Sequence, residues 1–112
     1  MDEDYGELSR RGELWVAGEP IVGALVIQDA EDHLWVDVVA VDPSWQGRGL
    51  GRRLMAFAEA EAGRRGHAQV RLLTNELMSE NRAFYAALGY EQYDLRGEYG
   101  TSRVYLRKTL DG

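Results

Sequence analysis

The chain has 112 residues and no cysteine, which excludes disulfides, a thiol nucleophile and thiolate metal sites. Its length and a hydrophobic content of 45% predict a single domain over residues 1–112, with a buried core. The net charge of −6 argues against general nucleic-acid binding, and the sequence shows neither a membrane-spanning apolar run nor a signal peptide. We therefore expect a cytoplasmic protein. Neither His33 nor His67 belongs to a metal-binding motif, so no metal site is expected.

Alternating apolar residues and turn residues predict the elements of the first half. Residues 2–11 are compatible with a short helix. Residues 14–17 and 21–28 are predicted strands, and the Gly-Glu-Pro turn between them makes the pair a hairpin. A third strand is predicted at 34–41, where six of the eight positions are valine, leucine or alanine.

The second half begins with a helix predicted at 50–65, whose apolar residues recur at spacings of three and four. Its predicted core-facing residues are Leu50, Leu54, Phe57, Ala58 and Ala62. A strand at 68–74, a helix from Ser79 to the glycine at position 89, and strands at 90–95 and 103–108 follow. Strand, helix and strand in succession imply a parallel pair with a right-handed crossover. The chain is therefore predicted to be a mixed α+β protein whose sheet is antiparallel except at one pair.

The stretch between the third strand and the long helix is rich in glycine. Gly47, Gly49 and Gly51 alternate with other residues just where the helix begins, so ligand atoms can approach the backbone closely. A helix N-terminus presents unpaired N–H groups and a partial positive charge, which together favour an anion such as phosphate. The segment 46–66 also carries five arginines against two glutamates. A tight turn with glycines for packing alone is the alternative.

The kind of phosphate ligand depends on the residues around these glycines. A nucleoside triphosphate loop requires Lys and Ser/Thr where Arg52 and Arg53 stand, and a dinucleotide fingerprint requires glycine at Arg52. Glu76, at the end of the next strand, could imitate a ribose-binding acid, which leaves a nucleotide-binding half-domain as one alternative. The spacing Q-x-x-G-x-G, which begins at Gln46, resembles the acetyl-CoA pyrophosphate loop of the GNAT superfamily of N-acetyltransferases.

A second segment supports the resemblance, which extends from Trp15 to Leu110. Asn81, Tyr85 and the Gly-Tyr pair at 89–90 resemble the N-x-x-x-Y…G-[FY] segment of that family. The resemblance implies a twisted, mostly antiparallel sheet with one splayed parallel pair and helices on both faces. It also implies acetyl-CoA as co-substrate. The cofactor-binding residues that it implies are Val39, Ala40, Val41, Gln46, Gly47, Arg48, Gly49, Leu50, Gly51, Arg52, Asn81 and Tyr85.

Three side chains are candidates for the chemistry. Tyr85 matches the family's tyrosine near the cofactor sulfur and is the candidate acid for the leaving thiolate, although a tyrosine in a short helix is usually a packing residue. Asp37 interrupts an apolar strand, where an unpaired buried charge would be costly, so it is expected on an exposed face or in a site. The resemblance suggests Asp37 as acceptor ligand or general base. Glu76 is the alternative base.

The resemblance therefore implies an N-acetyltransferase in which a primary amine, of a small molecule or a peptide, attacks acetyl-CoA directly. The alternative is a non-catalytic acyl-CoA-binding or sensing module of the same fold. The family's usual first strand and first helix, which form one wall of the acceptor groove, have no counterpart before the hairpin. A second copy of the chain in a homodimer could supply that wall, or the chain is a truncated version. No nucleic-acid or membrane partner is expected.

Overall fold

The computed structural model of the protein describes residues 9–11, 14–18, 20–75, 79–98 and 101–110. Within these residues the strands are β1 (Ser9–Arg11), β2 (Leu14–Ala17), β3 (Gly23–Asp29), β4 (Leu34–Val41), β5 (Gln69–Asn75), β6 (Glu91–Glu98) and β7 (Thr101–Thr109). The helices are α1 (Leu50–Arg64) and α2 (Ser79–Ala87), and a single 3-10 turn spans Pro43–Trp45. The strands form one sheet in the order β1-β2-β3-β4-β5-β7-β6. Every neighbouring pair is antiparallel except β4 and β5, which confirms the predicted mixed α+β class and its single parallel pair.

The N-terminal helix prediction is wrong where the structure can test it. Ser9–Arg11 is a strand that pairs with β2, with Ser9 opposite Val16 and Arg11 opposite Leu14. The physical reason is that β2 offers a row of backbone partners, whereas an isolated helix of about ten residues is only marginally stable in water. The rest of the predicted helix, residues 2–8, lies outside the described residues.

The core lies between α1 and one face of the sheet. Leu54 and Ala58 of α1 are buried at successive turns, as the helical spacing predicted. Leu25 and Ile27 of β3 are also fully buried, since alternate strand residues point to the same face. Other buried apolar residues of this cluster are Leu34, Val36, Leu50, Met55, Ala62, Val70, Leu72, Val104 and Leu106. This packing fixes the start of α1 against β3 and β4, next to the glycine-rich stretch.

The C-terminal end of α1 is anchored by a charged cluster. Glu61 is only 5% exposed, and its carboxylate accepts hydrogen bonds from Arg64 and Arg65. Arg65 also bonds Asp29 at the end of β3, and a ring nitrogen of His67 lies 2.8 Å from the same carboxylate. The hydrogen bonds from His67 and Arg65 hold the pKa of Asp29 below its ordinary value. The cluster therefore ties the far end of α1 to β3.

Three further results complete the fold. Gly97, which lies outside the strands predicted at 90–95 and 103–108, belongs to β6 and pairs with Ser102 of β7. Neither helix of the described part of the chain has the length and apolar character required to cross a membrane. Within the same residues, no group of three histidine, aspartate or glutamate side chains is arranged to hold a metal ion.

Candidate active site

The parallel strands β4 and β5 separate soon after they meet. They pair only where Leu34 lies opposite Val70 and Trp35 opposite Arg71. Beyond that point β4 continues to Val41 and stays paired with β3 on its other side. Within the described residues, the edge of β4 that faces β5 therefore has no strand partner over its last six residues. Its backbone groups can hydrogen-bond a ligand that enters the gap.

The glycine-rich stretch places the N-terminus of α1 at the mouth of this gap. Gly49 is the N-cap of α1 in the left-handed conformation, with φ +84°, and no side chain caps the helix. Gly47 has φ +83°, and a Cβ at either glycine would meet nothing within 4 Å. Glycine is therefore required at these two positions by the backbone conformation and not by crowding. The N–H groups of the first turn are left to point at an anion.

A cavity of about 610 Å³ runs from this helix end to α2. Among the predicted cofactor-binding residues, Val39, Val41, Gln46, Gly47, Gly49, Leu50, Gly51, Arg52, Asn81 and Tyr85 line it.

Two of the predicted cofactor-binding residues, Ala40 and Arg48, do not line this cavity directly. Ala40 is exposed and paired with Ala24, on the side of β4 that faces away from α1. Arg48 places its guanidinium 5.0 Å above the ring of Trp45. Arg52 therefore lines the cavity directly, whereas Arg48 contacts Trp45, which is itself a lining residue.

Three lining residues were not predicted. Trp45 and Glu80 give no sequence signal for a ligand. Phe84 was expected in the core, and it packs against the core while also lining the cavity. The signal that could have identified Phe84 is its place next to Tyr85, one residue along the same helix.

Tyr85 lies where α2 faces the gap. It is half-buried and packs against Phe84 and Tyr90, with ring centroids 5.0 and 5.9 Å apart. Burial raises the pKa of the Tyr85 phenol above its ordinary value, because the phenolate would lose hydration. The phenol therefore keeps its proton throughout the neutral range. This favours hydrogen-bond donation to a nearby anion over complete proton transfer.

A second cavity, of about 300 Å³, occupies the gap between β4 and β5. It shares Val39, Asn81 and Tyr85 with the first cavity, and its other wall includes Asp37. Leu72, Leu73, Thr74 and Asn75 of β5 also line it. The two cavities therefore meet at α2, next to Tyr85.

Asp37 reaches this second cavity because β4 carries a bulge. Val26 pairs with Val38 and Ile27 with Val36, so Asp37 is an extra residue without a partner on β3. Its carboxylate is exposed and accepts a hydrogen bond from the side-chain amide of Gln28. The charge thus stays in water at the edge of the cavity. Glu76, the alternative base, lies outside the described residues.

Comparison with known proteins agrees with this architecture. The family model described as "Acetyltransferase (GNAT) domain" matches residues 10–92. A mouse protein, N-alpha-acetyltransferase 80, is 40% identical over 65 residues, which is 58% of this chain. The matched segment spans only 19% of the mouse protein.

Solved structures show the same fold. A GNAT family acetyltransferase from Elizabethkingia anophelis, solved with acetyl-CoA bound, superposes with a TM-score of 0.80 at 19% identity, covering 87% of this chain and 75% of its own. The ribosomal-protein-S18-alanine N-acetyltransferase of Escherichia coli superposes with a TM-score of 0.79 at 21% identity. The match covers 92% of this chain and 74% of the Escherichia coli chain. Ard1 from Thermoplasma volcanium superposes with a TM-score of 0.81 at 18% identity. The match covers 89% of this chain and 72% of the Ard1 chain. With most of its length matched by the family model, and with a splayed parallel pair beside a glycine-capped helix, the chain belongs to the GNAT acetyltransferases, whose co-substrate is acetyl-CoA.

Proposed function

We propose that this protein is an N-acetyltransferase in which a primary amine attacks acetyl-CoA directly while both substrates are bound. The observation that carries the proposal is the meeting of two cavities at Tyr85. One cavity contains the uncapped N-terminus of α1, and the other contains the carboxylate of Asp37. An anionic carrier and an amine can therefore approach the same point from opposite sides.

The residues of the first cavity fit acetyl-CoA. The N–H groups at the start of α1 suit a pyrophosphate, and Arg52 beside them adds a charge-assisted contact. The free edge of β4, from Val39 to Val41, suits the amide-bearing arm of the molecule. Acetyl-CoA supplies a thioester carbonyl that an amine can attack. N–H groups on the same edge can stabilise the negative charge that develops on the carbonyl oxygen.

Two side chains are proposed to handle protons. Asp37, directly or through a water, accepts the proton that the amine loses, since its exposed carboxylate lines the second cavity. Tyr85 donates a hydrogen bond to the departing thiolate, because burial keeps its phenol protonated. Glu76 remains the alternative base by its place after β5. Because the sequence has no cysteine, an acyl-thioester intermediate on the protein is excluded.

The first acceptor class to test is the α-amine of a peptide. The name of the mouse relative, N-alpha-acetyltransferase 80, motivates this choice, although that match covers a small part of the mouse protein. Small-molecule amines and lysine side chains are the other acceptor classes. All three carry a primary amine, so the proton chemistry proposed for Asp37 is the same.

The test measures thiol release and acetylated product with acetyl-CoA and a panel of peptides, lysine derivatives and small amines. Initial rates are recorded while both substrates are varied. Direct attack predicts intersecting double-reciprocal lines, whereas parallel lines would indicate a covalent intermediate and contradict the proposal. CoA binding without turnover on any amine would identify a non-catalytic acyl-CoA-binding module. Binding of a dinucleotide but not of CoA would identify the nucleotide-binding alternative.

A matched pair of variants connects the rate to the site. Tyr85→Phe should lower kcat while leaving the Kd of acetyl-CoA unchanged, because the proposed hydrogen bond forms only to the departing thiolate. Tyr90→Phe is the control, since Tyr90 lines neither cavity and its hydroxyl donates to Glu59 on α1. Equal losses of kcat in the two variants would show that Tyr85 acts only through packing.

A further inference from the structure

The carboxylate of Asp37 has a hydrogen-bond partner on the strand that lies away from the gap. The side-chain amide of Gln28, on β3, donates to one of the carboxylate oxygens. In the sheet, β4 lies between β3 and β5, and the second cavity is on the β5 side. Gln28 lines neither of the two cavities that meet at Tyr85. The amide therefore holds the carboxylate from behind while Asp37 lines the cavity.

The register of β3 and β4 explains how Gln28 reaches Asp37. Gln28 is paired with Trp35, two positions before Asp37 on β4. A long side chain can contact such a diagonal neighbour on the adjacent strand. Because Asp37 is the extra residue of the bulge, no residue of β3 lies directly opposite it. The diagonal amide is thus the contact that β3 makes with the carboxylate.

This partner is neutral, which distinguishes Asp37 from most paired carboxylates of the protein. Within the described residues, no arginine, lysine or histidine forms an ion pair with Asp37. Carboxylates that do pair with a basic side chain are Asp29, Asp32, Glu59, Glu61, Glu91 and Asp94. A cation in contact with a carboxylate strongly favours its charged form and so weakens it as a base. A neutral amide orients the group with a smaller loss of basicity.

We propose that Gln28 is a positioning residue for Asp37, whose amide fixes one carboxylate oxygen and leaves the other for the acceptor amine or for the water that relays its proton. The inference rests on the proposed function, in which Asp37 accepts that proton, and it adds the residue that orients the base. An exposed aspartate without this bond rotates among several rotamers. Holding it in one of them reduces the entropy that is lost when the amine arrives.

The test compares the wild-type protein with Gln28→Leu in the acetylation assay. Leucine is close to glutamine in size but has no N–H donor. Gln28→Leu should lower kcat/KM for the amine by about fivefold, the order expected for one exposed hydrogen bond. The Kd of acetyl-CoA should stay unchanged, because Gln28 does not line the first cavity.

The matched control is Gln69→Leu, in β5 of the same sheet. The amide of Gln69 donates to the hydroxyl of Thr109 at 3.2 Å, and Gln69 lines neither cavity. Its replacement should leave kcat/KM at the wild-type value. In an Asp37→Asn background, Gln28→Leu should cause no further loss, because Gln28 acts through the carboxylate. Additive losses would show that Gln28 acts on the fold and would contradict the inference.

A pH profile of Gln28→Glu distinguishes orientation of the base from packing. Among the described residues that line the second cavity, the titratable side chains are Asp37 and Tyr85. The variant places a second carboxylate of similar size in contact with Asp37, and two carboxylates in contact resist ionising together. The ratio of its kcat/KM to that of the wild type should therefore fall as the pH is lowered. Ionisation of the free amine is common to both enzymes and cancels in this ratio, so a ratio that does not change with pH would refute the contact.

Three further outcomes would overturn the inference. Wild-type kcat/KM in Gln28→Leu, together with impaired Asp37→Asn, would refute the positioning role and leave the proposed function standing. Wild-type activity of Asp37→Asn would remove Asp37 as the base and the role of Gln28 with it, while acetyl transfer would stand. Absence of turnover on every amine, with CoA still bound, would refute both the inference and the proposed function.

Discussion

The glycines at the start of α1 should respond to alanine in opposite ways. Gly49 adopts φ +84°, where a Cβ costs about 1–2 kcal/mol although nothing lies within 4 Å of it. For a domain of this size, Gly49→Ala should therefore lower Tm by roughly 5 °C or more. Gly51 lies inside the first turn of α1, where replacing glycine by alanine stabilises a helix by up to about 1 kcal/mol. Gly51→Ala should leave Tm unchanged or raise it slightly.

The Gly51→Ala variant should also bind CoA less well than the wild-type protein. A Cβ at Gly51 would lie 3.5 Å from Phe84 and 3.8 Å from Val41, which is ordinary contact. Since all three residues line the first cavity, the added methyl group narrows the space for the cofactor without straining the fold. The free energy of unfolding of the wild-type protein should rise by about 2.7 kcal/mol at a CoA concentration of about a hundred times Kd.

The assay is thermal unfolding of each variant with and without CoA. Gly51→Ala should lose most of the CoA-induced rise in Tm while its unliganded Tm stays normal. Gly49→Asn is the control for Gly49→Ala, because asparagine tolerates positive φ better than alanine. A full CoA response in Gly51→Ala, or an unchanged Tm in Gly49→Ala, would refute this account of the loop.

The remaining predictions concern single side chains. Tyr85→Phe should lower kcat by about a hundredfold if the phenol assists the leaving thiolate, measured by thiol release at saturating substrates. Asp37→Asn should lower kcat/KM for the amine and leave the Kd of CoA unchanged; a matching rise in that Kd would contradict the separation of the two cavities. The lowered pKa of Asp29 means that its stabilising contribution is present above the ordinary carboxyl pKa and is lost as the pH falls through the lowered value. Asp29→Asn should therefore reduce stability at pH 7 and flatten the acid limb of a Tm–pH curve, with His67→Gln giving a smaller change in the same direction.

Local patterns predicted the elements that position the site. The bounds 14–17 and 34–41 agree with β2 and β4, and α1 ends one residue before the predicted position 65. These segments have clear apolar periodicity and turn residues at their ends, so local information was sufficient. The first residues lacked such a pattern, and the partner strand β2 decided that Ser9–Arg11 is extended.

Features that depend on tertiary contacts were not predicted from the sequence. Glu61 is buried although it is charged, and its burial depends on Arg64 and Arg65 three and four residues later. Phe57, predicted in the core, is half-buried and packs 4.6 Å from the ring of Trp15. The pairing of Arg96 with Arg103 also required the register of β6 and β7, which includes an irregularity near Tyr93. Periodicity within one strand carries no information about that register.

The bulge at Asp37 affects how the gene for this protein can change. Because Asp37 is the extra residue, Val36 and Val39 point towards α1 although they are three positions apart. In-frame loss of the Asp37 codon would remove the carboxylate and make Val36 and Val38 consecutive opposite Ile27 and Val26, so the rest of β4 would keep its partners and its faces. The carboxylate at the second cavity and the wall of the first cavity can therefore change independently in descendants of this gene.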